Sequence, residues 1–215
     1  MLLSKNLLAD VYMTAKEAII QAGFSHEIDW QAEVDFDKIN ECDFLREAAW
    51  VILSSGFRES VLRTKFRSIS EAFLNWKSAK DIVKHQNLCR AEALSCFGHT
   101  GKIDAILQIA ARIAKSGFHS FKNQIKQFGV SQLQKLPYIG PITCFHLGKN
   151  LGLNVVKPDR HLVRAAKSAR ARSVQELCEA IQQVVGDPIA VIDLVIWRYA
   201  TINPRFFIQF AGTEI

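Results

Sequence analysis

The chain has 215 residues, and 49% of them are hydrophobic, which is enough to bury a full core in one domain or in two small ones. The 27 Lys and Arg residues exceed the 21 Asp and Glu residues, and the net charge of +6 fits an anionic partner without proving one. The five cysteines lack any Cys-x-x-Cys spacing, so the sequence supports neither a zinc site nor an iron–sulfur cluster. Their odd number and lack of pattern, together with the absence of a secretory leader, predict a protein of the reducing cytoplasm.

Apolar residues recur at three-to-four spacing along most of the chain, which predicts an all-α protein. The first apolar stripe runs from Leu3 to Ile19 and is ended by Gly23. The polar, acidic residues 25–41 are predicted to link this helix to the next unit. No apolar run approaches the roughly eighteen residues that cross a bilayer, so we expect a soluble protein without a membrane partner.

Later apolar stripes predict three further helices. The stripe over residues 103–113 is ended by Gly117, a residue type that commonly follows a helix C-terminus. The final third predicts helices over about residues 174–185 and 188–201, and the Asp187 side chain is the expected N-cap of the second one.

Two motifs carry the functional interpretation, and the first is a turn with the sequence Leu-Pro-Tyr-Ile-Gly-Pro at residues 136–141. Pro137 fixes one dihedral angle, Gly140 can take a positive φ, and Pro141 suits the first turn of a new helix. This pattern predicts a helix, a hairpin and a second helix over about residues 130–151. Backbone N–H groups at such a helix start can bind a phosphate without reading a base. An ordinary corner between two helices has the same turn chemistry and remains an alternative.

The second motif follows about twenty residues later, where Lys-Pro-Asp-Arg-His at residues 157–161 places one acid, Asp159, at the start of a basic helix. An N-cap role explains a lone aspartate after proline, and a positioned functional carboxylate is the other interpretation. Residues 157–172 contain six basic residues and one acid, Asp159, which predicts a phosphate-binding face, with a solvated helix face as the alternative. They are Lys157, Arg160, Arg164, Lys167, Arg170 and Arg172.

In this order and spacing, the two motifs resemble those of the helix-hairpin-helix/Gly-Pro-Asp (HhH-GPD) superfamily of DNA glycosylases, which remove damaged or mismatched bases from duplex DNA. The resemblance covers about residues 44–164. The residues that carry it are Leu136, Pro137, Ile139, Gly140, Thr143, Leu147, Gly152, Pro158, Asp159, His161 and Arg164.

The resemblance implies an all-α fold of two helical subdomains with a helix-hairpin-helix motif and an interdomain cleft. Residues 1–42 would be the N-terminal helical part of a discontinuous subdomain. Residues 43–152 would form a helical barrel that ends in the hairpin. Residues 153–215 would supply the catalytic-aspartate segment and the C-terminal helices that pack with the N-terminal part.

The resemblance makes Asp159 the catalytic carboxylate of a DNA N-glycosylase of base excision repair. Breaking the N-glycosidic bond develops positive charge on the sugar, which a fixed ionised carboxylate stabilises. Ile142 stands where relatives that also cut the strand carry a Schiff-base lysine, so we expect a monofunctional enzyme that leaves an abasic site. Lys135 or Lys157 could instead supply an amine for a bifunctional glycosylase/lyase. A non-enzymatic DNA-binding HhH protein is the third alternative.

The DNA contacts are expected from the hairpin and from the helix after the aspartate. The expected contact residues are Pro137, Tyr138, Gly140, Ile142, Thr143, Lys157, Arg160, His161 and Arg164. Base extrusion also needs side chains that fill the vacated stack or receive the base. The candidates for these two roles are Phe57, Phe97, His99, Trp50 and Trp197, and core packing is the alternative for each aromatic ring.

The expected partner is double-stranded DNA that contains a lesion or a mismatch, and nothing in the sequence identifies the excised base. We expect a cytoplasmic monomer, associated with the nucleoid in a bacterium. No transition metal or organic cofactor is expected. The resemblance adds a structural K⁺ or Na⁺ that backbone carbonyls of the hairpin can hold, and these carbonyls would belong to Gln134, Leu136 and Ile139.

Overall fold

The structure is a computed structural model that describes residues 2–211. Every regular element in that range is a helix, which confirms the all-α prediction. Short 3-10 helices lie at Phe36–Lys38, Leu74–Trp76 and Phe206–Ala211. The α-helices, in chain order, are α1 (Lys5–Gln21), α2 (Ser25–Glu33), α3 (Glu41–Ser54), α4 (Glu59–Ala72), α5 (Ala79–Lys84), α6 (Gln86–Cys96), α7 (Thr100–Ser116), α8 (Phe118–Phe128), α9 (Val130–Leu133), α10 (Thr143–Asn150), α11 (Arg160–Ser168), α12 (Val174–Val185) and α13 (Ile189–Ile202).

The chain folds into two compact units. The first unit combines the chain up to Asp35 with the chain from Gly152 onward, and the second unit comprises Phe36–Leu151. Helices α1, α2 and α11 to α13 therefore belong to the first unit, and α3 to α10 belong to the second. The boundaries predicted from the sequence lie after residues 42 and 152.

The first unit is built around α1 and α13, whose apolar side chains form one core with α11 and α12. The chain passes from the first unit to the second within residues 25–41, after Asp35, but the stretch is not a link throughout, because α2 occupies Ser25–Glu33 and buries Ile28 and Gln31. The guanidinium of Arg198 in α13 donates to both carboxylate oxygens of Glu27. Arg198, which is distant in sequence, therefore stabilises α2, a helix that the polar local sequence did not predict.

Asp187 is not the N-cap of α13, which corrects the sequence prediction. Pro188 holds the N-cap position and makes no side-chain capping bond. The Asp187 carboxylate instead accepts hydrogen bonds from the Tyr12 hydroxyl and from Lys16 Nζ, the latter at 2.6 Å. Burial is the main reason that the pKa of Tyr12 is raised above its ordinary value, and the hydrogen bond to Asp187 adds to the effect.

No single helix within residues 2–211 is both long and apolar enough to cross a membrane. Helices α12 and α13 reach that length and apolar character only as a pair, and the pair is bent by 109° at its junction.

The second unit has its core along α3 and α7. Helix α3 starts at a capping box in which Asn40 and Asp43 exchange backbone and side-chain hydrogen bonds. Helix α7 ends at Gly117, as the sequence predicted, with φ at 77°. Asn150 at the end of α10 donates to the carboxylate of Glu47 in α3 at 3.2 Å, and burial raises the pKa of that carboxyl. The turn that precedes α10 is thus attached to a helix fixed on the core.

Candidate functional site

The turn of residues 136–141 lies between α9 and α10, and its left-handed residue is Tyr138, with φ at 62°. The expectation of a positive φ at Gly140 is therefore wrong. The N–H of Gly140 donates to Thr143 Oγ1 at 2.7 Å, and a Cβ added at Gly140 would only make an ordinary contact with that oxygen at 3.9 Å. Neither backbone conformation nor packing within residues 2–211 requires glycine at this position.

The start of α10 leaves backbone donors available. Within residues 2–211, the N–H groups of Ile142 and Thr143 donate to no other group, as expected for the first residues of a helix. The Ile142 side chain is exposed, and Pro141 adds no donor. The turn therefore presents N–H groups beside an apolar side chain at the protein surface.

Three exposed or partly exposed rings of the second unit line up beside this turn. The His99 ring is 5.9 Å from the Tyr138 ring and 6.3 Å from the Phe57 ring, measured between centroids. Tyr138 is 48% exposed and Phe57 is 45% exposed. The Tyr138 ring also covers Gly101, where an added Cβ would lie 2.7 Å from the phenolic oxygen. We call Phe57, His99 and Tyr138 the aromatic row.

The three rings of the aromatic row come from three separate segments of the chain. Phe57 comes from the turn after α3, His99 is the N-cap of α7, and Tyr138 belongs to the turn before α10. Phe97 lies 5.0 Å from Phe57 but is only 4% exposed, so the core-packing alternative applies to Phe97. His99 directly precedes α7, which begins at Thr100.

Lys102 lies beneath the aromatic row and was missed at the sequence level. The residue is only 3% exposed, and its Nζ donates to the carbonyl of Leu53 at 3.0 Å and to that of Ser55. Burial lowers the pKa of Lys102 to about 8. Its burial could have been predicted from its position in α7. Lys102 lies four residues before Ile106 and seven residues before Ile109, so all three fall on the buried face of the helix.

Asp159, in the first unit, is the N-cap of α11, so the N-cap interpretation is confirmed. Its Oδ1 accepts hydrogen bonds from the N–H groups of His161 at 2.8 Å and Leu162 at 3.1 Å. Its Oδ2 lies 4.0 Å from Lys157 Nζ and accepts no hydrogen bond from any group in the part of the chain that the structure describes. One oxygen thus fixes the carboxylate, and the other keeps its acceptor capacity for a ligand.

Asp193 is a second acid near this segment that the sequence analysis did not select. The residue is 1% exposed within α13, and its Oδ2 accepts a hydrogen bond from the backbone N–H of Lys157 at 2.7 Å. The contact anchors the chain two residues before Asp159. An acid within the otherwise apolar run of residues 189–197 was the available sequence signal.

A basic pocket opens next to the start of α11, with a volume of ≈ 470 Å³. Three of the expected DNA-contact residues line it together with residues of and after α13: Arg160, His161, Arg164, Ala200, Thr201 and Pro204. Burial lowers the pKa of His161, an effect that nearby Asp159 opposes and the neighbouring cations reinforce. Arg172 is not among the residues that line this pocket, and its guanidinium pairs with Glu176 at 2.6 Å.

The remaining candidates have ordinary surroundings. Trp50 is partly buried and packs edge-on against Phe66, with a centroid distance of 5.0 Å. Trp197 packs against the core of the first unit beneath the Arg198 guanidinium, which is 4.6 Å from its ring centroid. The Nζ of Lys135 donates to a glutamine side chain of α9 at 3.2 Å.

The carbonyls expected to hold a monovalent cation belong to the turn before α10. The carbonyl of Leu136 accepts a hydrogen bond from the N–H of Ile139 at 3.1 Å. The carbonyl of Gln134 belongs to the residue directly after α9. Within residues 2–211, no group of three or more His, Cys, Asp or Glu side chains is arranged to hold a metal ion.

A scan of the chain against protein-family models finds no match, and a search of the curated proteins finds none either. The functional interpretation therefore depends on the residues of this chain and on their geometry.

Proposed function

We propose that the protein is a monofunctional DNA N-glycosylase of the HhH-GPD type, which hydrolyses the bond between a flipped-out damaged or mismatched base and its sugar. The helix-hairpin-helix motif at the turn before α10 and the cleft implied by the resemblance belong to this proposal. The proposal also includes a role in DNA repair, double-stranded DNA as the partner, and Asp159 as the catalytic residue.

The observation that carries the proposal is the second oxygen of Asp159. Two backbone N–H groups hold Oδ1, so the carboxylate has a fixed orientation before any ligand arrives. Oδ2 is left for the positive charge that develops on C1′ and on the ring oxygen of the sugar, or for the attacking water. The N-cap role and the catalytic role are therefore compatible, since each uses a different oxygen.

The basic pocket supports a phosphate contact close to this carboxylate. Arg160 and Arg164 lie one turn apart on α11 and line the pocket with the Thr201 residue of α13. Guanidinium and hydroxyl groups are common donors to backbone phosphates, which position DNA without reading its sequence. The negative Asp159 beside such a surface opposes phosphate binding, so its presence favours an enzyme over a protein that only binds DNA.

The turn and the aromatic row support contact with DNA on the second unit. The N–H groups of Ile142 and Thr143 suit a phosphate, and Gly140 leaves room for a strand to approach the backbone. Extrusion of a base costs a few kcal/mol, because the neighbouring bases lose a stacking partner. The exposed rings of Phe57 and Tyr138 suit stacking against those neighbouring bases.

One observation favours a second candidate, a bifunctional glycosylase/lyase. The Lys157 amine lies 4.0 Å from Asp159 Oδ2, a distance at which both groups can reach the same sugar. Such an enzyme would form a Schiff base with C1′ before it cuts the strand.

A panel of duplexes tests the proposal, each carrying one lesion or mismatch, with abasic sites detected by strand cleavage in hot alkali. We expect the purified protein to release at least one modified or mismatched base and to leave the paired undamaged duplex intact. Binding to every duplex without release from any of them would contradict the proposal and indicate a DNA-binding module.

A further inference from the structure

We propose that Lys102 is a positioning residue for the aromatic row, because its ammonium group holds the turn after α3 against the start of α7 and so fixes Phe57 beside His99. The inference depends on the proposed function for its ligand, lesion-containing DNA. Its effect would be on base unstacking, through the rings that it positions.

The first link joins Lys102 to the end of α3. The last carbonyls of a helix have no partner within the helix and carry partial negative charge. Lys102 Nζ donates to two carbonyls at this end, those of Leu53 and Ser55. The following residue, Gly56, has φ at 75°, so the chain turns sharply where the ammonium group holds it.

The second link joins the same ammonium group to the aromatic row. Lys102 Nζ lies 4.6 Å from the centroid of the Phe57 ring, within the range of a cation–π contact. The backbone N–H of Lys102 faces His99, whose carbonyl accepts it at 3.1 Å and whose Nδ1 lies 3.4 Å away. One residue thus contacts two members of the row, and the third, Tyr138, packs against His99.

The surroundings of Lys102 indicate that its ammonium group has a specific role at this position. Within residues 2–211, no carboxylate pairs with it: Asp104 pairs with Arg90 at 2.6 Å, and Glu59 pairs with Arg63. A buried ammonium group without a counter-ion costs desolvation energy that a methionine of similar length would avoid. The lowered pKa of Lys102 agrees with this cost. The ammonium group is also enclosed, so it is not placed to attack a sugar.

The second unit offers a closely matched control. Lys122 Nζ also donates to two backbone carbonyls, those of Asp37 and Ile39, each at 2.8 Å. It also lies over an aromatic ring, that of Phe36, at 5.5 Å from the centroid. Replacement of either lysine by methionine removes one positive charge and one such set of contacts, but only Lys102 touches the aromatic row.

The experiment compares the wild type, Lys102→Met and Lys122→Met on the duplexes of the lesion and mismatch panel, each with 2-aminopurine placed next to the altered base. Fluorescence of 2-aminopurine rises when the base is unstacked. We expect Lys102→Met to lose most of this rise and to release the base about tenfold to a hundredfold more slowly at saturating DNA. We expect Lys122→Met to resemble the wild type, and all three to bind undamaged duplex with similar affinity.

Two results separate the possible failures. A wild type without any fluorescence rise or base release contradicts the proposed function. A normal rise in folded Lys102→Met contradicts the role of Lys102 alone. If Lys102→Met does not fold, Lys102→Arg replaces it, and loss of the fluorescence rise in the folded arginine variant is the contradicting result. Hydrogen exchange without DNA gives an independent measurement: we expect faster exchange over residues 54–58 in Lys102→Met but not in Lys122→Met.

Discussion

The buried carboxylate of Asp193 accepts a hydrogen bond from the backbone N–H of Lys157 at 2.7 Å, two residues before Asp159. An acid inside the most apolar helix of the first unit thereby fixes the segment that leads into α11. The candidate catalytic carboxylate is held from both sides, by this anchor before it and by the N–H groups of α11 after it.

Replacement of Asp193 tests this anchor. Asp193→Ala leaves a backbone donor without its acceptor, and we expect the free energy of unfolding to fall by about 1–3 kcal/mol in urea denaturation. Base release should fall as well, since Asp159 loses its support. Asp193→Asn keeps an acceptor oxygen for Lys157 and should lose less of both. An alanine variant as stable and active as the wild type would show that the anchor is not needed.

Substitutions at two glycines should have opposite effects on stability and on DNA binding. Gly140→Ala adds a Cβ with room and without a positive φ, so we expect unchanged stability but about tenfold weaker DNA binding, which is 1.4 kcal/mol. Gly186→Ala at the end of α12 forces alanine to φ of 79°, so we expect a stability loss of about 1 kcal/mol and normal DNA binding. Thermal melts and gel shifts measure the two effects, and the same pattern in both variants would argue against a DNA contact at Gly140.

Lys102 predicts a pH dependence of stability. Its pKa is about 8 in the folded protein against 10.5 ordinarily, so between these pH values the unfolded chain binds more protons. The free energy of unfolding of the wild type, minus that of Lys102→Met, should therefore rise from about pH 8 to pH 10.5 and be level below that window. Denaturation curves at several pH values measure it. A difference that falls with rising pH would show that the lysine is stabilised in its charged form.

The lyase question has a direct chemical test. Because Ile142 cannot form a Schiff base, we expect borohydride to trap no covalent complex between the protein and DNA that it has processed. A trapped complex would contradict the monofunctional assignment. Its loss in Lys157→Gln, but not in Lys135→Gln, would then support the bifunctional candidate.

Local patterns predicted the helices well where the apolar period and a terminal glycine agree. Helix α12 has the bounds that its apolar stripe predicted, and α7 ends at Gly117. The predictions failed where a distant side chain decides the outcome. Asp187 binds Tyr12 and Lys16 from α1 instead of capping α13, and α2 forms because α13 covers its apolar side.

The candidate site shows the same division. The position of Asp159 at a helix start could be predicted from its neighbours, since capping is a local interaction. The anchoring by Asp193 and the enclosure of Lys102 could not, because each depends on contact between segments far apart in sequence. The positive φ falls on Tyr138 rather than on Gly140, and the tyrosine ring contacts Gly101 and His99, which are distant in sequence.

The most direct test of the account replaces the charge of Asp159 and keeps its cap. Asparagine and serine are both good N-caps, so Asp159→Asn and Asp159→Ser should fold with the stability of the wild type to within about 1 kcal/mol. We expect both to release bases about a hundred to a thousand times more slowly or worse, and to bind lesion DNA as tightly as the wild type or slightly more tightly. Base release by Asp159→Asn at the wild-type rate would contradict the central claim, because the carboxylate would then serve only its helix.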